Sequence, residues 1–290
     1  LVGVYSLELD TKGAFAVGAA IAPTSMGIAY NILKQGHLLN TPVGQLIIAA
    51  AILDDIIALI LLSEIKALTK EDVSVSAFLV PIFAALGLLI GFGFLAIFVV
   101  PRIVHQIILP NLRPEIHQTV TLAMVFILVL ALSPLAYYAG SSYLLGCFIA
   151  GMCFCTEHLV HNLWVKQTKQ CARWLLRIFF ASTIAFEIPV EHFGDPNVIR
   201  NAFLIFLCIV GKFITGFFAP GERCFFKFFV VAFAMSARGE FAFIVIVFAK
   251  EEGIINEDAV AATILSIVIS IIIFPVILRW TMKHFKASVL

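Results

Sequence analysis

The chain has 290 residues, of which 62% are apolar and 13% charged, with a formal net charge of +1 and a mean hydropathy of +1.07. Soluble domains average roughly 45–50% apolar and about 25% charged residues, so the composition excludes a soluble enzyme and an extracellular disulfide scaffold. A net charge near zero gives no electrostatic case for nucleic acid. The sequence predicts an all-α polytopic membrane protein.

The chain opens on Leu1 with no signal-peptide pattern ahead of its first apolar segment, and an N-terminally truncated chain is expected. An apolar helix needs about 20 residues to cross the hydrocarbon core. Cutting at charged, Pro-rich and Asn/Gly-rich clusters gives nine spans, at 13–34, 42–66, 75–101, 116–139, 141–157, 174–191, 197–219, 224–250 and 257–279. In the first, Ala20–Ser25 (AIAPTS) puts Pro23 at mid-span, where it removes a backbone donor beside the Thr24 and Ser25 hydroxyls. The second carries Asp54 and Asp55 in the run Ala49–Leu62 (AAAILDDIIALILL). The sixth has Glu187 near its end, the seventh carries Lys212, and the eighth is interrupted by Ser236–Glu240, with Arg238, Gly239 and Glu240 inside it. The six cysteines, Cys147, Cys153, Cys155, Cys171, Cys208 and Cys224, lie in or beside apolar segments, where the thiol behaves as a small hydrophobe.

Lys and Arg accumulate in cytoplasmic loops, so charge sidedness tests the span count independently. One side collects twelve basic residues, among them Arg102, Arg113, Lys166, Lys169, Arg173 and Lys283; the other has five, Lys12, Lys66, Lys70, Arg200 and Lys250. Loop acids divide the opposite way, three against eleven. The C-terminus is therefore expected to be cytoplasmic.

A charge at the centre of a membrane helix costs at least ~2.5–3.5 kcal/mol on insertion scales, so it faces a partner or a water-filled cavity and marks an ion or proton path. Asp54 and Asp55 point about 100° apart on one helix. The only cations at comparable depth are Lys212 and Arg238. Asp–Lys and Arg–Glu pairing, the latter between Arg238 and Glu240, would leave one carboxylate over. A carboxyl removed from water holds its proton more tightly than the ~3.9 of free aspartate, so the leftover group is suited to exchanging a proton for a metal cation. Two interrupted helices, one in each half, are the pattern of an inverted-repeat transporter.

Three other readings compete. An intramembrane aspartyl protease needs two carboxylates facing each other across a water, whereas Asp54 and Asp55 are neighbours and no GxGD run is present. Cys153, Cys155, His158 and His161 have a spacing that metal ligands can take, but a span end leading into a basic loop accounts for them. A gated channel is the third, separable from an exchanger by unitary currents.

At these residues the sequence resembles the monovalent cation/proton antiporter superfamily, in the branch holding sodium/proton and Kef-type potassium/proton exchangers. The resemblance rests on Thr24-Ser25 with Gly27-Ile28, on Leu39–Leu59 (LNTPVGQLIIAAAILDDIIAL), on Leu145–Gly151 (LGCFIAG), on Gly211-Lys212 and on Arg238-Gly239-Glu240-Phe241. Phe179–Val190 follows the family only loosely. The resemblance implies a homodimer of inverted-repeat protomers with two broken crossing helices and no cofactor. It implies a partial first core repeat at 1–70, scaffold and linking helices at 71–195, and a second core repeat at 196–290. It implies that Asp55 is the carboxylate binding H⁺ and Na⁺ or K⁺, with Asp54 as its partner, Thr24 and Ser25 beside it, and Lys212 paired to Asp54.

A cysteine introduced in the 166–173 loop, in a background without the native cysteines, is expected to react with an impermeant thiol reagent only from the cytoplasmic side. One at 70–72 is expected to react only from the other side. Labelling of both from one face overturns the span count between them.

Overall fold

The computed structural model describes residues 2–5, 9–68, 75–103, 106, 117–155, 158–175, 178, 182, 186, 188–219 and 225–285. All the regular structure in these stretches is helical. Helix α1 (Thr11–Ile21) starts at Asp10, whose side chain accepts from the Thr11 amide at 2.7 Å. It stops just before Pro23, and α2 (Met26–Gln35) restarts with the Ser25 hydroxyl accepting from the Ile28 amide. The aspartate helix α3 (Pro42–Leu68) is followed by α4 (Val75–Phe98), α5 (His117–Tyr138) and α6 (Tyr143–Met152). Asp195 and Pro196 open α7 (Pro196–Val210), a cap followed by a residue whose missing amide proton is not needed there. The chain tightens from α7 into a 3₁₀ helix, Gly211–Phe218. The last three helices are α8 (Phe225–Ser236), α9 (Glu240–Glu251) and α10 (Glu257–Phe285).

Among the described residues, seven stretches are long and apolar enough to cross a membrane: Thr11–Gln35, Pro42–Ile65, Leu79–Arg102, Thr119–Tyr138, Pro196–Phe218, Phe225–Glu251 and Glu257–Lys283. They coincide with seven of the nine spans expected from the sequence. The stretch 141–157 contains the shorter α6, which ends in turns at Cys153–Cys155. Half of the expected span 174–191, with Glu187, lies outside the described residues, as does Cys224. Large apolar side chains such as Ile90, Leu130 and Phe217 are exposed, as lipid-facing positions require. Only 11% of the apolar window in Leu79–Arg102 is buried, against 72% of that in Phe225–Glu251; the interrupted pair α8–α9 is thus the most enclosed crossing.

The chain divides into two compact units, Leu1–Ala58 with Phe186–Leu290, and Leu59–Ala185. In the first, α7 and α8 pack on α10, α9 packs on α1, and α2 contacts α8 and α10. Its core is aliphatic around Ile32, Leu33, Ile47, Ile209, Val230 and Leu278. Aromatic rings hold the 3₁₀ segment in place: Phe213 stands edge-on to Phe233 at 5.0 Å and to Phe274 at 5.7 Å, and Phe206 stacks on Phe274. In the second unit, α6 packs against α4 and α5. A Cβ at Gly146 would lie 2.3 Å from the Leu132 carbonyl oxygen and 2.6 Å from the Ser133 Cα. The first glycine of LGCFIAG is thus the place where α6 meets the backbone of α5.

Candidate ion-binding site at two interrupted helices

Pro23 and Gly239 sit in the two gaps between half-helices, Ala22–Ser25 and Ala237–Gly239. Groups freed by the breaks must find partners, because lipid offers none. They find each other. The Ser25 amide donates to the Ala237 carbonyl at 2.8 Å. Arg238, 2% exposed, donates through Nη1 to the Pro23 carbonyl at 3.2 Å and to the Met235 carbonyl at 3.4 Å. The approach is close enough to need glycine: a Cβ at Gly239 would fall 2.9 Å from Ser25 Oγ and 3.0 Å from Ser25 Cβ.

The 3₁₀ segment brings Lys212 to the first break. Its Nζ lies 2.9 Å from the Ala22 carbonyl, 2.8 Å from Thr24 Oγ1 and 2.5 Å from Asp54 Oδ2. Thr24 Oγ1 is in turn 2.6 Å from Asp54 Oδ2 and 3.1 Å from the Met235 carbonyl, so its single proton serves one of two acceptors while its lone pairs accept from Lys212. The cation sits beyond the C-terminal end of α1, where the helix dipole favours positive charge. Asp54 is thereby committed to Lys212 and Thr24. The neighbouring Asp55, half-buried, makes no hydrogen bond or ion pair among the described residues. An unpartnered carboxylate next to a paired one offers oxygen ligands of the kind a hard monovalent cation or a proton takes.

The arrangement brings together Thr24, Asp54, Lys212 and Arg238, with Ser25 bridging to the second break. It does not bring Arg238 to Glu240. Arg238 turns inward to the carbonyls of Pro23 and Met235, whereas Glu240 is exposed in the first turn of α9, where a helix N-terminus favours an acid. The expected Arg–Glu pairing is therefore corrected to an arginine held by main-chain oxygens. Sequence reasoning also missed the carbonyl partners at Ala22, Met235 and Ala237, which no residue type advertises, and the 3₁₀ segment, signalled only by Gly211 and Gly216. Cys155 and His161 line a separate cavity of about 660 Å³ with Val125 and Trp164, in the other unit.

The model of the sodium/hydrogen exchanger transmembrane family matches residues 1–284. The chain belongs to the sodium/hydrogen exchanger family. It is 27% identical over 272 residues to a high-affinity Na⁺/H⁺ antiporter, NhaS3, of Synechocystis, covering 92% of this chain and 58% of that protein. It is 24% identical over 286 residues to a Na⁺/H⁺ antiporter of Enterococcus hirae, covering 98% of this chain and 73% of its relative. A Na⁺/H⁺-K⁺ antiporter of Bacillus cereus, GerN, is 24% identical over 299 residues, 97% of this chain and 72% of that protein. This member of the exchanger family thus spans somewhat more than half to about three quarters of these relatives.

Gly239→Ala is expected to force the two breaks apart and lower unfolding stability by about 1–3 kcal/mol, the usual cost of overpacking a tight contact. Gly18→Ala, within α1 and with nothing within 4 Å of the added Cβ, is expected to be neutral or stabilising by up to about 1 kcal/mol. Thermal unfolding of the two variants in detergent checks the contrast; equal stabilities overturn the close-approach argument.

Proposed function

We propose that this chain is the greater part of a monovalent cation/proton antiporter in which Asp55 binds H⁺ and Na⁺ or K⁺ in competition. The observation carrying this reading is the split between neighbours: Asp54 is held by Lys212 and Thr24, while Asp55 is without a partner among the described residues. A carboxylate already tied to an ammonium is poorly placed to take and release a cation, whereas a free one alternates between proton and metal ion. The relatives named as Na⁺/H⁺ and Na⁺/H⁺-K⁺ antiporters support the same substrates.

The ion site works by alternating access: competitive binding couples the two fluxes, because one carboxylate cannot hold both ions at once. The unit with the crossed half-helices moves relative to the remaining helices when Asp55 is occupied, and the ion is released on the other side. The inverted repeats are 1–70 and 196–290, joined by helices in 71–195. The protein works as a homodimer, as the family resemblance implies. Its C-terminus is cytoplasmic, a sidedness that the basic-residue bias supports.

In the full-length protein, Asp55→Asn is expected to abolish cation-dependent proton movement in proteoliposomes, since an amide exchanges no proton for a cation. Asp54→Asn should be milder, because it removes a partner and not the ligand. Wild-type exchange by Asp55→Asn at saturating Na⁺ or K⁺ overturns the assignment.

A further inference from the structure

We infer that Glu64 is a second proton-binding site, separate from Asp55, in the part of α3 that belongs to the Leu59–Ala185 unit. By sequence it counts among the acids of the outer loops, yet it lies inside the membrane-crossing stretch Pro42–Ile65. Its exposure is 1%, and Leu62, Ser63 and Ile65 around it are equally enclosed.

Both Glu64 carboxyl oxygens are buried without a hydrogen-bond partner among the described residues. The adjacent hydroxyl is already committed: Ser63 Oγ donates to the Leu59 carbonyl at 3.1 Å and lies 3.4 Å from Ser141 Oγ. Among the residues of this unit whose side chains are described, the basic ones, Arg102, His161, Lys166, Lys169 and Arg173, are exposed, and none is a hydrogen-bond partner of Glu64. An ionised carboxylate buried without a donor or counter-charge is so costly that such a group neutralises instead. The form that fits this pocket is the acid with its proton bound.

Glu64 lies nine residues beyond Asp55, which is about 13–14 Å along the helix and half a turn round from it. It is therefore outside reach of an ion held at Asp55, and its proton is not the one that the cation displaces. Release of that proton needs water or a base to reach the outer end of α3, so ionisation of Glu64 is tied to opening of that end.

The test is infrared spectroscopy of the full-length protein in lipid at neutral pH. Wild type is expected to show a protonated-carboxyl C=O band with a component that shifts on labelling glutamate carboxyls with a heavy isotope. That component should vanish in Glu64→Gln and persist in Asp55→Asn. Thermal unfolding gives a second readout: Gln matches the neutral acid in shape and cannot ionise, so Glu64→Gln should keep or raise the wild-type melting temperature, most of all at alkaline pH. A band unchanged in Glu64→Gln, or a lower melting temperature at alkaline pH, overturns the assignment, since the latter marks an ionised and paired glutamate. Labelling alone does not single out one glutamate, so Glu64→Met, neutral and of similar length, takes the place of Glu64→Gln in both readouts if that variant fails to fold. Neither readout depends on transport, and failure here leaves the role of Asp55 to its own experiment.

Discussion

A polypeptide that stops being helical within a bilayer exposes amide and carbonyl groups for which lipid has no answer. Here each break supplies part of the answer for the other. The Ser25 amide reaches the Ala237 carbonyl, Arg238 spans from the Met235 carbonyl to that of Pro23, and Lys212 takes the Ala22 carbonyl. Removing one break would leave the polar groups of the other in lipid. The positions of Lys212, Thr24 and Asp54 all follow from this mutual satisfaction.

The same constraint explains why two basic side chains are tolerated at the crossing. Each half-helix that ends there presents carbonyls with no helical partner, and cations are the natural complement to a helix C-terminus. Lys212 serves the end of α1 and Arg238 the end of α8. Lys212 also holds Asp54, which leaves Asp55 as the group with spare capacity. Of two adjacent carboxylates on one helix, one is thus taken up in charge balance and the other is not.

The two units distribute the polar groups unevenly. The unit of Leu1–Ala58 with Phe186–Leu290 carries both breaks, the 3₁₀ segment and the aspartate pair, while the buried polar residues described in the Leu59–Ala185 unit are Glu64, Thr121 and the serines Ser63, Ser141 and Ser142. Helix α3 runs through both. That helix thus carries the aspartate pair in the stretch belonging to one unit and a buried carboxyl without a hydrogen-bond partner among the described residues in the stretch belonging to the other.

Much of this was legible in the sequence because bilayer physics writes itself into composition. Apolar runs of membrane length, basic-residue bias, a proline at mid-span and the polar run Ser236–Glu240 mark the crossings and both breaks without any contact information. An Asp–Lys pair was readable too, since few cations share that depth, and the family resemblance assigned it to Asp54 and Lys212. What tertiary structure alone decided was the fate of groups that look alike in one dimension. Arg238 turns to main-chain carbonyls and not to Glu240, because the crossing places the Pro23 and Met235 oxygens within its reach while the first turn of α9 carries Glu240 outward. Glu64 looks like a loop acid beside Lys66, but it is packed away from solvent. Main-chain oxygens carry no residue label, and burial near a helix end depends on what packs there; neither is encoded in hydropathy or spacing.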